Sequence, residues 1–249
     1  MNNLMWNGIY DSVLSSIDTR DYERLSLSKR ISTVGAEGRE LTTNREELER
    51  SHAWIPGVEI FPRKIFSQKE RGYFSELIKF DHGILHEIGL YPKQWSSALM
   101  YRGSAKGFHI HPPIIPVGYE AEDWFRELFL PKPMNYTRRL YDLEQWDVMF
   151  FLTGVSEVVL VDERKGLDRR VMRFSISGDF SAGTDHVALV IPPGVSHALK
   201  NIGSDDVIMV YGTSTTFKPE YEGRISSSIE DSRLPDEWMQ YLSSQPKEI

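Results

Sequence analysis

The stretch GSAKGFHIH, residues 103–111, decides the fold, together with IPPGVSHALKN, residues 191–201. In the first stretch a single apolar residue separates His109 from His111. Side chains alternate along a β-strand, so both histidines of an H-x-H strand point to the same face. In the second stretch a Pro-Gly turn precedes His197, and a distant strand of one barrel can bring that imidazole to the same face. The two stretches together predict a histidine-rich site inside a β-structure.

The remainder of the chain favours an all-β fold. From Ile55 onward, short apolar runs rich in Val, Ile, Phe and Tyr each end in a turn signal, as in DVMFFLTG, SEVVLVDERKG, RRVMRFSISG, HVALVIPPG and DVIMVYGTSTTF. Many short strands at this spacing are typical of a closed barrel or a sandwich, not of a βαβ fold. The charged run VDERKG within this series is expected to form a solvated hairpin.

Composition changes divide the chain into three predicted parts. Residues 1–54 are polar and charge-rich, and they predict an N-terminal arm that is helical or extended. Residues 55–240 predict the barrel, interrupted at about 114–145 by an insertion whose segment EAEDWFRELF is helical in pattern. Residues 241–249 form a tail. The insertion follows the two histidines directly, and both a lid and a packing element stay open for it.

Composition also limits the function classes. The chain has 40% hydrophobic and 26% charged residues, and its apolar runs are strand-sized, which argues against a transmembrane helix. The N-terminus lacks the pattern of a secretory signal, so a cytoplasmic location is expected. Cysteine is absent, which excludes disulfides, thiol catalysis and thiolate metal sites. The net charge of −7 argues against nucleic-acid binding, although a local cluster of Arg and Lys can still hold a small anion.

The two histidine stretches resemble the paired motifs of the cupin barrels. In a metal-binding cupin, His109, His111 and His197 would be ligands, and imidazole suits Zn, Fe, Ni or Cu. The Glu that normally follows H-x-H in such cupins is replaced here by PPIIP, and the nearest carboxylate is Glu120. A three-histidine site for a divalent transition metal is therefore kept as an alternative.

A second resemblance covers about three quarters of the chain. IPGVEIFPRKIFSQKERGYFSEL, KGFHIH, VLVDERKG, IPPGVSHAL and VYGTSTTFKPEYEGRI occur in the order of the motifs of the dTDP-4-dehydrorhamnose 3,5-epimerase family. Five motifs in order are more specific than any one of them. The resemblance implies a cupin jelly roll, also called a double-stranded β-helix. It also implies an isomerase that epimerises a nucleotide-linked 4-keto sugar in carbohydrate biosynthesis.

The same resemblance implies the catalytic residues. His109 would be the general base, and Tyr211 would be the acid on the opposite face of the sugar. Epimerisation beside a ketone removes an acidified proton and returns one from the other side, and imidazole titrates near neutrality, which suits the first step. A cation near the ketone oxygen would stabilise the developing oxyanion, and Lys106 or Arg102 could supply it.

Substrate-binding roles follow by the same resemblance. Arg71 would meet the nucleotide phosphates, Glu76 would line the nucleotide pocket and His197 would lie near the diphosphate. Lys106 stands where the family has Arg, and His111 takes the place of the family's Gln. The family has an aromatic pair that stacks on the nucleotide base. At these two positions this chain has Thr216 and Phe217, so Phe217 alone would stack.

Departures from the family pattern concern charged residues of the pocket. The family's Lys and Arg on the strand after the base correspond to Trp146 and Met149, and its inward Asp on the central strand corresponds to Val158. The carboxylate that partners the base histidine has no aligned equivalent, and the candidates are Asp231, Asp236 and Glu237. These losses leave open whether catalysis is retained.

Three functions are compatible with the sequence. The first is an epimerase or isomerase that uses His109 and Tyr211 and needs no cofactor. The second is a metal-dependent cupin, such as a dioxygenase or a sugar isomerase, and the third is a non-catalytic cupin that binds sugar nucleotides. The first is the favoured hypothesis. The resemblance further implies a homodimer that exchanges N-terminal strands, with no nucleic-acid or membrane partner.

Overall fold

The computed structural model describes the barrel, most of the histidine site and three short pieces of the N-terminal arm. The described residues are 10–11, 31–32, 42–43, 54–111, 118, 120, 123, 145–167, 169–180, 186–219, 222–226, 232–239 and 241–242. Among these, no helix is both long enough and apolar enough to cross a membrane.

Fourteen strands form in the described part of the chain. They are β1 (Ile31–Ser32), β2 (Thr42–Thr43), β3 (Glu59–Pro62), β4 (Ile65–Ser67), β5 (Tyr73–Ser75), β6 (Gln94–Met100), β7 (Ala105–Ile110), β8 (Asp147–Phe151), β9 (Val155–Asp162), β10 (Val171–Ser177), β11 (Val187–Ile191), β12 (Val195–Asn201), β13 (Val207–Thr213) and β14 (Gly223–Arg224). A short helix, α1, spans Ile84–Glu87, and 3₁₀ turns lie at Lys69–Arg71 and Asp236–Trp238.

Two antiparallel five-stranded sheets form the body of the fold. The first sheet has the order β10-β9-β12-β7-β14, and the second has the order β3-β11-β8-β13-β6. Buried apolar side chains from both sheets pack into one core, among them Met149, Val158, Leu160, Met172 and Leu189. The predicted all-β jelly-roll architecture is confirmed, and Val158 lies inside it as expected.

Strand β7 places the two histidines on the inner face. Phe108 and Ile110 belong to a separate apolar cluster on the outer face of the first sheet, so His109 and His111 point the other way. Gly107 has a φ of +121°, and a Cβ there would lie 2.7 Å from the Cα of Ala198. The missing side chain therefore lets β7 approach β12, where His109 is the register partner of His197.

Apolar clusters also cover the outer faces of the two sheets. On the first sheet, Tyr10 of the arm stacks with Phe108 at a ring separation of 6.0 Å, and its hydroxyl donates to Glu157 Oε2 at 2.8 Å. Burial raises the pKa of Tyr10, so its hydroxyl stays protonated and remains a donor. On the second sheet, Leu85 and Leu90 pack against Phe150. Part of the predicted arm is thus attached to the barrel.

Two expectations about the fold are not met. The predicted solvated hairpin at VDERKG is wrong, because Asp162, Glu163 and Arg164 are buried. The Arg164 guanidinium donates to both oxygens of Asp162 at 2.7 Å, and Arg169 donates to both oxygens of Glu163, so these buried charges are paired. The helical insertion at 114–145 is not confirmed, since nearly all of it lies outside the described residues. The helices predicted in the arm lie there too, except that Thr42–Thr43 is a strand.

Candidate active site

A cavity of about 170 Å³ opens between the two sheets at the end where β7 finishes. The first sheet and the segment before β14 contribute its polar side, which includes three histidines. The second sheet contributes a mixed side. The lining residues are Gln94, Ala98, Lys106, His109, His111, Gln145, Asp147, Met149, His197, Leu199, Met209, Tyr211, Thr213, Phe217 and Glu222.

Most of the residues predicted from the sequence meet in this cavity. The predicted base and acid lie on different sheets, with His109 on β7 and Tyr211 on β13. Among the predicted binding residues, the cavity is lined by Lys106, His111, His197 and Phe217.

Three other predicted residues do not line the cavity of this chain. Arg71 is exposed in the 3₁₀ turn between β4 and β5. The Glu76 carboxylate pairs with Lys79 at 2.9 Å. Arg102 is exposed, and its backbone N–H donates to Asp206.

An outer cluster forms around His109, which the structure places beside Glu222 and Arg224. His109 Nδ1 lies 3.5 Å from Glu222 Oε2, and the Arg224 guanidinium donates to His109 Nε2. Because Arg224 can only donate, Nε2 accepts, and the imidazole proton is on Nδ1, facing the carboxylate. The contact with His109 lowers the pKa of Glu222 to about 2, with His111 and Arg224 adding to the effect. The Glu222 side chain is therefore an anion at neutral pH.

An inner cluster lies deeper and consists of His111, Asp147 and His197. Asp147 Oδ2 is 3.5 Å from His111 Nε2 and 3.6 Å from His197 Nε2. All three side chains are less than one tenth exposed, whereas those of the outer cluster are between 24% and 36% exposed. Burial lowers the pKa of His111 to about 4 and that of His197 to about 3, and it raises the pKa of Asp147. Both imidazoles are therefore neutral at pH 7.

The carboxylate beside the base histidine is not among those predicted. Asp231 lies outside the described residues, Asp236 is exposed in a 3₁₀ turn and Glu237 lies in the same turn. Glu222 occupies the position instead, because β14 pairs with β7 and opposes Arg224 to His109. Its signal was present in the sequence, since Glu222 is the second glutamate of the FKPEYEGRI motif.

Strand β8 presents a different pair of side chains from the one predicted. Asp147 and Met149 line the cavity, whereas Trp146 packs with the apolar cluster on the outer face of the second sheet. The inward Asp147 was not predicted, because the family's pattern placed its neighbour Trp146 in the pocket instead.

The alternative set of three histidine ligands is also changed. The compact group of ligand atoms is His111, Asp147 and His197, without His109, and Glu120 is exposed and outside the cavity.

Comparisons with known proteins support the architecture. No family model matches the sequence. The spore coat polysaccharide biosynthesis protein SpsL of Bacillus subtilis is 25% identical over 186 residues, which cover 74% of this chain and 96% of SpsL. NovW, a 4-keto-6-deoxy sugar epimerase from the novobiocin biosynthetic gene cluster of Streptomyces spheroides, superposes with a TM-score of 0.52 at 18% identity. That match covers 84% of this chain and 94% of NovW.

The chain therefore shares the all-β jelly-roll fold of NovW. A dTDP sugar isomerase from Desulfovibrio desulfuricans superposes with a TM-score of 0.50 at 12% identity, over 70% of this chain and 87% of that one. The resemblance seen in the five sequence motifs is thus confirmed at the level of the fold.

Proposed function

We propose that the protein is an epimerase or isomerase that acts on a nucleotide-linked 4-keto sugar. The observation that carries the proposal is the position of His109 and Tyr211 on opposite walls of one cavity. A base and an acid that face each other across a sugar ring can remove a proton from one side of a carbon and return one to the other side. The names of NovW and of the dTDP sugar isomerase point to the same chemistry in proteins of this fold.

His109 takes the proton from the carbon next to the ketone. Glu222 stabilises the imidazolium that forms, because the carboxylate lies 3.5 Å from Nδ1. Arg224 engages the Nε2 lone pair in the free protein, so it must leave before that nitrogen can accept a proton. A substrate diphosphate supplies the competing anion, since a guanidinium pairs well with phosphate oxygens. Binding would therefore free the base.

Tyr211 returns a proton from the second sheet. Its ring packs against the apolar core, which fixes the direction of the hydroxyl. Lys106, on the same strand as His109, lines the cavity and provides a cation for the oxyanion or for the diphosphate. Neither proton transfer requires a metal ion in this scheme.

Phe217 provides a stacking surface for the nucleotide base. Its ring is 56% exposed although it lines the cavity, and its backbone N–H is held by Gln94 Oε1 at 2.8 Å. Arg71 and Glu76 lie away from this cavity, and a homodimer that exchanges N-terminal strands would bring them to the cavity of the second copy. The homodimer and the cytoplasmic location are part of the proposal.

The experiment is an NMR assay of the purified chain with 4-keto-6-deoxy sugars linked to dTDP or to UDP. An epimer that accumulates with the wild type and forms about 10²-fold more slowly with Tyr211→Phe supports the proposal. A chain that binds a nucleotide sugar but leaves every substrate unchanged contradicts it and indicates a non-catalytic binding protein. Sedimentation of the same sample tests the homodimer.

A further inference from the structure

The inner cluster has the spacing of a metal site. One ligand atom from each of His111, Asp147 and His197 lies within 4.8 Å of the other two. Asp147 Oδ2 is 3.5 Å from His111 Nε2 and 3.6 Å from His197 Nε2. These separations exceed the usual hydrogen-bond range of about 2.7–3.2 Å. A tetrahedral ion with bonds of about 2.0–2.1 Å places its ligands roughly 3.3–3.4 Å apart. The two carboxylate–imidazole separations are therefore long for hydrogen bonds and close to the spacing of ligands that share an ion.

We propose that His111, Asp147 and His197 bind a divalent first-row transition-metal ion. Two imidazoles and a carboxylate are a donor set that suits ions such as zinc, iron, cobalt or nickel. The site differs from the three-histidine set that the sequence left as an alternative, because Asp147 replaces His109 as the third ligand. The inference goes beyond the proposed function and does not depend on it.

Neighbouring groups already orient the ligands. Gln145 Nε2 donates to Asp147 Oδ1 at 3.0 Å, which leaves Oδ2 directed at the two histidines. Thr215 in turn donates to Gln145 Oε1 at 2.8 Å and fixes the amide. His197 Nδ1 faces the carbonyl oxygen of Val195 at 3.5 Å, which favours a proton on Nδ1 and a lone pair on Nε2. Such outer partners are typical of metal sites in proteins.

The site leaves one coordination position open toward the cavity. Three protein ligands occupy three corners of a tetrahedron, and all three residues line the cavity wall. The fourth corner therefore faces the space that a substrate would enter, and it suits a water molecule or a substrate oxygen. His109 stacks on His197 at a ring separation of 5.7 Å, so the ion would lie next to the proposed base without being bound by it.

Metal binding is tested on the full chain prepared without a histidine tag. The protein is dialysed against a chelator and titrated with zinc by calorimetry and with cobalt by visible absorption. We expect one ion per chain and the intense absorption of a four-coordinate cobalt site. A protein that takes up neither zinc nor cobalt overturns the inference.

Variants identify the ligands. Asp147→Asn and His197→Gln are expected to weaken zinc binding by more than 10²-fold, and Gln145→Leu by about 10–100-fold, as for an outer-shell partner. His82→Gln, at an exposed histidine, is the matched control and should bind as the wild type does. His109→Gln should also keep the ion, and loss of binding in that variant overturns the assignment in favour of the three-histidine set.

Failure of this inference is distinguishable from failure of the proposed function. Epimer formation is followed by NMR, whereas ion binding is followed by calorimetry and absorption without any substrate turnover. Should Asp147→Asn fail to fold, as judged by circular dichroism, Gln145→Leu and the cobalt absorption of the wild type still decide the question. Unchanged zinc affinity in a folded Gln145→Leu variant counts against the site.

Discussion

Two histidines separated by one residue, His109 on β7 and His111 directly after it, lie in opposite environments. His109 belongs to the outer cluster, where Glu222 and Arg224 contact its two ring nitrogens and water reaches the side chain. His111 belongs to the inner cluster, where burial lowers its pKa to about 4 and a shared carboxylate oxygen is its nearest polar partner. Charged partners at a partly exposed imidazole suit proton transfer, whereas buried neutral imidazoles suit ion binding.

Alternation along a strand sets the direction of a side chain but not how deeply it is buried in the cavity. Both side chains point into the cavity, as the H-x-H pattern predicts. What separates them is the element that each one meets. His109 meets β14 at the sheet edge, and His111 meets β8 of the opposite sheet through Asp147. The following predictions test that division, in order of decreasing effect.

Removal of the imidazole of the outer cluster should have the largest effect. We expect His109→Gln to lower kcat by about 10³–10⁴-fold, because a positioned base contributes roughly 10²–10⁴-fold and no other lining residue replaces it in this scheme. Steady-state kinetics with the substrate found by NMR measure the change. His82→Gln is the control, and equal rates in His109→Gln and the wild type would end the assignment of His109 as the base.

Removal of the hydroxyl from the opposite wall should have the next largest effect. Tyr211→Phe keeps the ring that packs against the core, and we expect kcat to fall by about 10²-fold because the returning proton loses its donor. Proton abstraction by His109 should persist, so solvent deuterium should still enter the substrate while inversion is lost. Equal loss of exchange and of inversion would contradict the division of roles.

Arg224 should act mainly on substrate binding. Arg224→Met removes the cation that contacts both His109 and Glu222, and we expect KM to rise by about 10-fold or more, with a smaller change in kcat. A charge-assisted hydrogen bond to a phosphate contributes roughly 1.5–3 kcal/mol, which corresponds to this range. A variant with unchanged KM would show that Arg224 does not meet the diphosphate.

The partner carboxylate should have a smaller effect on the rate. We expect Glu222→Gln to lower kcat by about tenfold, equivalent to roughly 1.4 kcal/mol of transition-state stabilisation, because the imidazolium loses its counter-ion. Zinc affinity should be unaffected, since Glu222 is not part of the inner cluster. A rate equal to that of the wild type would remove Glu222 from the mechanism.

The smallest expected effect is the contribution of Glu222 to the stability of the fold at acidic pH. The contact with His109 lowers the pKa of Glu222 from its usual 4.5 to about 2 in the folded chain. The ionised carboxylate therefore stabilises the fold above about pH 4.5, and this contribution is lost as the pH falls toward 2. Urea midpoints of the wild type and Glu222→Gln should differ above pH 4.5 and converge below it. A difference in urea midpoint that stays constant with pH would contradict the lowered pKa of Glu222.

The sequence predicted the architecture well because its signals are local. Short β-rich runs between turn residues located most of the barrel strands, and H-x-H predicted two inward side chains on β7. The five ordered motifs predicted the fold, and most of the cavity-lining candidates followed from them. The charges of VDERKG were predicted to be solvated, but those of Asp162, Glu163 and Arg164 are buried, because their burial depends on contacts with distant segments. One such contact is the hydrogen bond from the Lys165 backbone N–H to the Tyr241 carbonyl oxygen at 2.9 Å.

The residues missed in the site come from pairings between distant segments. Glu222 reaches His109 only through the pairing of β14 with β7, and Asp147 reaches His111 and His197 only across the two sheets. Alternation on β8 alone cannot decide between Trp146 and Asp147 as the inward residue, because both faces of that strand are buried. Such a strand carries no periodic signal of which face lines the cavity.

The most direct test of the account is the solvent deuterium that enters a 4-keto nucleotide sugar during incubation in D₂O. We expect incorporation at a carbon next to the ketone with the wild type and with His82→Gln, and none above background with His109→Gln. Deuterium incorporation by His109→Gln at the wild-type rate would contradict the central claim that the outer cluster moves the proton.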